Sequence, residues 1–140
     1  MSFWGAVGLG VAVAVTVVVA LLLRARDGRV RAGGGHTGGW ALAERPPAAP
    51  DRVLLLQLSS PVCTPCRQTA AVLDELTGRT PGLVHVELDV ADRPDVAREL
   101  GVMRTPTVVA FDRGGAELLR VSGVPRSTDL LSGLESALSG

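Results

Sequence analysis

Lysine and tyrosine are missing from this 140-residue chain, and only two phenylalanines, two tryptophans, two histidines and two cysteines occur. Each scarcity excludes something. Arginine supplies all 14 basic side chains against 14 acids, for a net charge of zero. Without a basic surplus, and with almost no aromatics, the chain is not expected to bind nucleic acid. The missing lysine reads as coding bias rather than chemistry. Two cysteines three positions apart cannot form the disulfide framework of a small secreted scaffold, and closing so short a loop removes little unfolded-state entropy. A structural zinc needs four ligands, which two cysteines and the distant His36 and His85 supply poorly. No metal or cofactor is expected.

What charge there is lies unevenly. Arg24, Arg26, Arg29 and Arg31 follow a run, Phe3 to Leu23, that holds no charged residue at all. At ~1.5 Å per residue this run is about 31 Å long, close to the thickness of a bilayer's hydrocarbon core. A secretory signal would have a basic start, a shorter apolar centre and a small-residue cleavage site. Residues 1–23 are therefore expected to form a transmembrane helix with Trp4 at one rim. The arginines after it place the C-terminal part in the cytoplasm, giving a single-pass membrane protein. Small residues at Gly8, Ala12, Thr16 and Ala20 form a stripe, a common feature of such spans.

Residues 24–51 read as a basic juxtamembrane segment and a Gly/Pro-rich linker. The arginines suit anionic headgroups, the glycines at 33–35 and 38–39 suggest flexibility, and Pro46, Pro47 and Pro50 stiffen the end. His36 in the glycine run is expected to be solvated. Trp40 is expected to be the first side chain to pack on the domain.

From Arg52 onward the pattern alternates. Val53–Leu58 reads as a buried strand, residues 62–78 as a helix and Leu83–Leu88 as a second strand, making a right-handed βαβ unit. Pro94 opens a short helix that Gly101 closes. Thr107–Phe111 is a buried strand, and Ala116–Val121 returns antiparallel after a turn. A last helix, capped by Ser127 or Thr128, buries Leu130, Leu131, Leu134 and Leu138. The expected fold is an α/β domain over 52–140 with a mixed central sheet in the order β-α-β-α-β-β-α.

The chemistry concentrates at Cys63-Thr64-Pro65-Cys66, directly after the first strand. Two thiols at i and i+3 share one side of a helical turn, and a C-x-x-C that opens a helix after a strand is a redox signal. Unsatisfied N–H groups at the helix start favour the thiolate of Cys63, the expected nucleophile. Cys66, one turn further in, is the expected resolving thiol. Pro65 fits the first turn, where its missing N–H costs nothing.

The strand order, the C-x-x-C placement and Thr105-Pro106-Thr107 before an apolar strand together resemble the thioredoxin superfamily, in particular its small membrane-anchored members. The resemblance covers about Arg52 to Gly140, with the family's first strand and helix reduced or missing. It implies a cis peptide before Pro106, a substrate surface of Thr64, Pro65, Thr105 and Pro106, protein disulfides as substrates, and a thiol reductant or reductase as electron donor. A proline before the second cysteine leans toward reduction.

Three neighbours depart from the family pattern. Val62 stands where a tryptophan is usual. Gln57 replaces a buried carboxylate, and His85 precedes Asp89 by four residues where a lysine is common. Gln57 cannot accept a proton, so His85 is the candidate for proton transfer with Cys66, and Gln57 the candidate for placing a water there. Arg67 and Arg104 are candidates for tuning and substrate contact. Alternatives to a membrane-tethered thiol–disulfide oxidoreductase are a redox-sensing or interaction module without turnover, and a sulfur-relay protein.

Overall fold

The computed structural model describes residues 3–140, so Met1 and Ser2 of the expected span lie outside the described residues. The uncharged run forms one helix, α1 (Phe3–Arg26), about 36 Å long at ~1.5 Å per residue. It is long and apolar enough to cross a membrane, and none of its residues is buried. Two residues after its end, Gly28, with a φ of 73°, turns the chain into the domain.

Two elements then occupy the segment read as a linker: strand β1 (Val30–Ala32) and helix α2 (Gly39–Leu42). The rest follows as β2 (Val53–Ser59), α3 (Thr64–Arg79), β3 (Leu83–Asp89), α4 (Pro94–Glu99), β4 (Thr107–Asp112), β5 (Glu117–Ser122) and α5 (Ser127–Ser139). The five strands form one sheet in the order β1-β5-β4-β2-β3. Only β2 and β3 run parallel, joined by α3; the other pairs are antiparallel.

The two-residue period of the strands divides the core. Val53 and Leu55 of β2 and Val108 and Ala110 of β4 face Leu73 and Leu76 of α3 and Leu130 and Leu134 of α5. The alternate residues Leu54, Leu56, Leu58, Val109 and Phe111 face Trp40 of α2 and Val96 of α4. Helices therefore cover both faces of the sheet. This parity aims Gln57, two residues after Leu55, at the α3 side.

The early segment is held down rather than slack. β1 pairs Val30 with Val121 and Ala32 with Leu119 along β5. Trp40 is buried and its indole N–H donates to the Asp112 carbonyl at 2.8 Å, the packing role expected for it. Gly39 lies flat against Phe111, and a Cβ there would come within 2.1 Å of the ring. β1 therefore extends the sheet at its β5 edge, while β3 forms the opposite edge.

His36 is not a solvated loop residue either. Its Nδ1 lies 2.8 Å from Oε2 of Glu117, whose side chain is fully buried. Burial alone would push the Glu117 carboxyl up. Hydrogen bonds from Arg120, the Gly34 backbone and His36, with the charge of Arg120, outweigh it and hold the group at about 2. A depressed carboxylate stabilises the fold above its ordinary range, and that contribution is lost as pH falls from about 4.5 through about 2. After allowance for solvent screening it is worth on the order of 2 kcal/mol at neutral pH. Urea midpoints in detergent should therefore fall between these pH values for the native chain and vary less for Glu117→Gln.

One expected cap is absent. The N-cap position of α5 is Arg126, with no side-chain cap bond, and the Leu130 N–H closes the first turn on the Arg126 carbonyl. The buried Leu130 and Leu134 anchor this helix instead.

Candidate active site

The C-terminal end of β2 runs into Ser60, Pro61 and Val62, and α3 begins immediately after. Cys63 takes the N-cap position with extended backbone angles (φ −146°, ψ 100°). Its Sγ accepts the Cys66 N–H at 3.2 Å. The geometry answers a general need of helix starts, whose first N–H groups have no partner within the helix. Cys63 is half-buried while Cys66 is buried, and the two are joined in a disulfide with Cα atoms 5.2 Å apart.

β4 is antiparallel to β2, so its start lies at the same pole as the end of β2, with Thr107 opposite Leu58. The loop entering it carries Thr105 and Pro106, and the peptide bond between them is cis. Three hydrogen bonds hold that loop. Thr107 Oγ1 donates to the Arg104 carbonyl at 2.7 Å, and Gly123 N–H donates to the Pro106 carbonyl at 2.9 Å. Ser60 Oγ lies 3.0 Å from Thr105 Oγ1, tying this loop to the one that leads into Cys63. Among the described residues, the N–H and C=O of Thr105 take no backbone partner.

A cavity of about 370 Å³ lies here, and its lining includes Pro65, Arg104, Thr105 and Pro106 together with Arg24 and Asp27. Thr64 does not line it. It is exposed, and its hydroxyl accepts from Arg67 at 3.2 Å. Arg104 does reach the groove, paired with Asp27 at 2.5 Å.

Behind the cysteines the polar groups form a chain. Gln57 is fully buried, and its amide nitrogen donates to the Cys66 carbonyl and to Ser59 Oγ, both at 2.9 Å. A carbonyl only accepts, which fixes the orientation of the amide. Gln57 Oε1 therefore faces His85 Nε2 at 2.9 Å, and His85 Nδ1 lies 2.8 Å from Asp74 Oδ1 on α3. The register explains the meeting. His85 pairs with Leu55 across β2 and β3, so it shares the α3-facing side with Leu55 and Gln57.

Gln57 bonds the Cys66 main chain directly: its amide nitrogen donates to Ser59 and to the Cys66 carbonyl, and its oxygen faces His85. His85 reaches Cys66 through Gln57, and the chain ends on the Cys66 carbonyl rather than on its sulfur. Sequence reading also missed Asp74 and Asp27. No local pattern marks either one, since each acquires its role from a partner distant along the chain.

A pair of sulfurs that can close and open at a helix start, beside a loop with free main-chain groups, is suited to trading one disulfide for another. The proteins that do this are the thiol–disulfide oxidoreductases. Comparison with known proteins agrees. Residues 47–136 match the family described as Thioredoxin, and the chain belongs to that family.

A thioredoxin of Synechocystis is 35% identical over 86 residues, 61% of this chain and 79% of that protein. A chloroplastic thioredoxin M5 of rice is 32% identical over 76 residues, 54% of this chain but only 44% of that longer protein. An NADPH-dependent thioredoxin reductase 3 of Arabidopsis thaliana is 36% identical over 91 residues, 64% of this chain and 17% of that protein. Among solved structures, a mutant thioredoxin of Halobacterium salinarum superposes with a TM-score of 0.57 at 26% identity, covering 63% of this chain and 76% of that one. The oxidised mitochondrial thioredoxin 3 of Saccharomyces cerevisiae gives 0.54 at 27% identity, covering 61% and 79%.

Proposed function

We propose that this chain is a membrane-tethered dithiol reductase of protein disulfides, with α1 as its anchor and residues 27–140 on the cytoplasmic side. The observation that carries the chemistry is the asymmetry of the pair: a half-buried Cys63 at the N-cap of α3 and a buried Cys66 one turn in. Once reduced, Cys63 is the thiolate that the helix N-terminus and the Cys66 N–H favour. It attacks one sulfur of a substrate disulfide, forms a mixed disulfide and expels the other substrate sulfur as a thiolate. Cys66 gives up its proton and attacks Cys63 Sγ, and the second substrate thiol leaves. Two electrons pass from the pair to the substrate, which ends as a dithiol, while Cys63–Cys66 ends as a disulfide. A dithiol reductant or a reductase returns two electrons. The thioredoxin-like segment in a protein described as an NADPH-dependent thioredoxin reductase supports a reductase as that source.

Thr105 and Pro106 serve as the main-chain surface against which the substrate segment lies, with Pro65 opposite and Thr64 at the outer lip. Gln57 and His85 serve as positioning residues for Cys66. His85 holds the Gln57 amide, which holds the backbone of the resolving cysteine. His85→Ala should slow release of the mixed disulfide about fivefold, the equivalent of one hydrogen bond of about 1 kcal/mol, and should move the pH profile of that step. An unchanged profile would remove His85 from the proton chemistry.

Sidedness rests on the four arginines that follow the span. Reduced cells treated with a membrane-impermeant thiol reagent should label Cys63 only after permeabilisation. Labelling in intact cells would place the domain on the opposite face.

A further inference from the structure

The anchor meets the domain at the same pole as the cysteines. β1 is antiparallel to β5 and starts opposite Val121, so the chain enters the sheet where β5 ends and where β4 begins. Three residues, 27–29, separate α1 from β1. Fully extended they reach about 10 Å, so the connection has almost no slack. It is also fastened. Gly28 N–H donates to the Ser122 carbonyl at 2.7 Å, and Asp27 pairs with Arg104 beside the cis-proline loop.

Glycine is required on both sides of this joint. A Cβ on Gly28 would lie 2.2 Å from the Val124 carbonyl oxygen, and one on Gly123 would lie 3.0 Å from the Gly28 nitrogen; both residues have positive φ. No residue of α1 is buried, so the helix leaves the domain at this joint instead of lying along it.

With α1 in a bilayer, that arrangement turns the active-site pole toward the membrane. Two large apolar side chains stand out at this pole: Val62 before the first cysteine, 95% exposed, and Met103 before the cis-proline loop, 94% exposed. The last turn of the anchor and the residue after it supply Arg24 and Asp27 to the wall of the cavity that Pro65, Thr105 and Pro106 complete.

We propose that the site selects disulfides held at the membrane surface, in the juxtamembrane segments of membrane-inserted proteins, and that the Arg24–Asp27 turn forms one wall of the groove for the segment carrying the attacked cysteine. This rests on the reading of the chain as a tethered dithiol reductase. The exchange is the one already balanced above, with a dithiol reductant as the electron source. The short joint confines the pole to the surface, and the exposed Val62 and Met103 meet apolar side chains of a segment that has just left the bilayer. A disulfide far from the membrane cannot reach the groove without lifting the anchor.

The test uses the full chain in proteoliposomes, recycled by dithiothreitol, with two single-span reporter peptides. One carries its disulfide loop next to the span. The other carries the same loop beyond a polyproline spacer that extends it about 40 Å at ~3.1 Å per residue. Insulin in solution is the third substrate. The near reporter should be reduced at least tenfold faster than the far one. A 20-residue Gly/Ser insertion between Arg26 and Asp27, with an end-to-end distance of about 25 Å, should bring the two rates together. Equal rates for near and far reporters in the native chain would overturn the selection for surface disulfides while leaving the reductase intact, as would a difference that the insertion fails to narrow. Failure to reduce either reporter or insulin above background would instead overturn the reductase reading itself.

Discussion

Cys63→Ser is expected to bring dithiothreitol-coupled insulin reduction down to the uncatalysed background. The exchange begins with a thiolate attacking a disulfide sulfur, and a serine hydroxyl at the same N-cap position supplies no sulfur to make the mixed disulfide. The fold should survive, because serine is a favoured N-cap residue and its oxygen can accept the N–H that Cys63 Sγ now accepts. Cys66→Ser separates the two roles. It leaves Cys63 able to attack but removes the sulfur that resolves the mixed disulfide, so covalent complexes with substrate should accumulate and be visible on non-reducing gels. If Cys63→Ser retained the native rate, the enzyme reading would fail. If the complexes formed with Cys63→Ser instead of Cys66→Ser, the assignment of attacking and resolving thiols would reverse.

Gly39→Ala should strongly destabilise the domain. The new carbon would overlap the Phe111 ring at 2.1 Å, and that ring is fully buried in the cluster with Leu54, Leu56 and Trp40. A clash with the rigid body of an aromatic ring cannot be relieved by a flexible side-chain end. The cost should fall at the upper end of overpacking, about 3 kcal/mol. Gly78 is the matching control. It lies within α3 with nothing within 4 Å of a Cβ, so Gly78→Ala should stabilise by up to about 1 kcal/mol through helix propensity. Urea unfolding in detergent, followed by Trp40 emission in a Trp4→Phe background, measures both. A neutral Gly39→Ala would mean that α2 is not fixed on Phe111.

The strands and helices with long apolar patterns were legible in the sequence. Val53–Ser59 and Thr107–Asp112 are nearly continuous apolar runs because both faces of the sheet are covered there. The cysteine pair and the Thr-Pro-Thr sequence marked the two sides of the site. What escaped was structure that exists only through distant partners. β1 is three residues long, lies between arginines and glycines, and has no period of its own; β5 makes it a strand. His36 looks solvated until Glu117, 81 residues later, is placed beside it. The link from Gln57 through His85 to Asp74 needs the register of β2 on β3 and the position of α3 above them. Proximity of the anchor to the cysteines needs the antiparallel course of β1, which no local pattern reveals.

The short β1 strand has one more consequence, for self-association. Without it, β5 would present a row of open backbone donors and acceptors along an edge that another chain could extend. The same early segment covers Phe111 with Gly39 and Trp40. A fragment cut at Arg52, where the apolar pattern alone would place the start of the domain, loses both protections and exposes a template for strand addition beside an uncovered aromatic core. A fragment that begins at Asp27 keeps them. The residues that resemble a spacer occupy the β5 edge, where another copy of this sheet could otherwise add a strand.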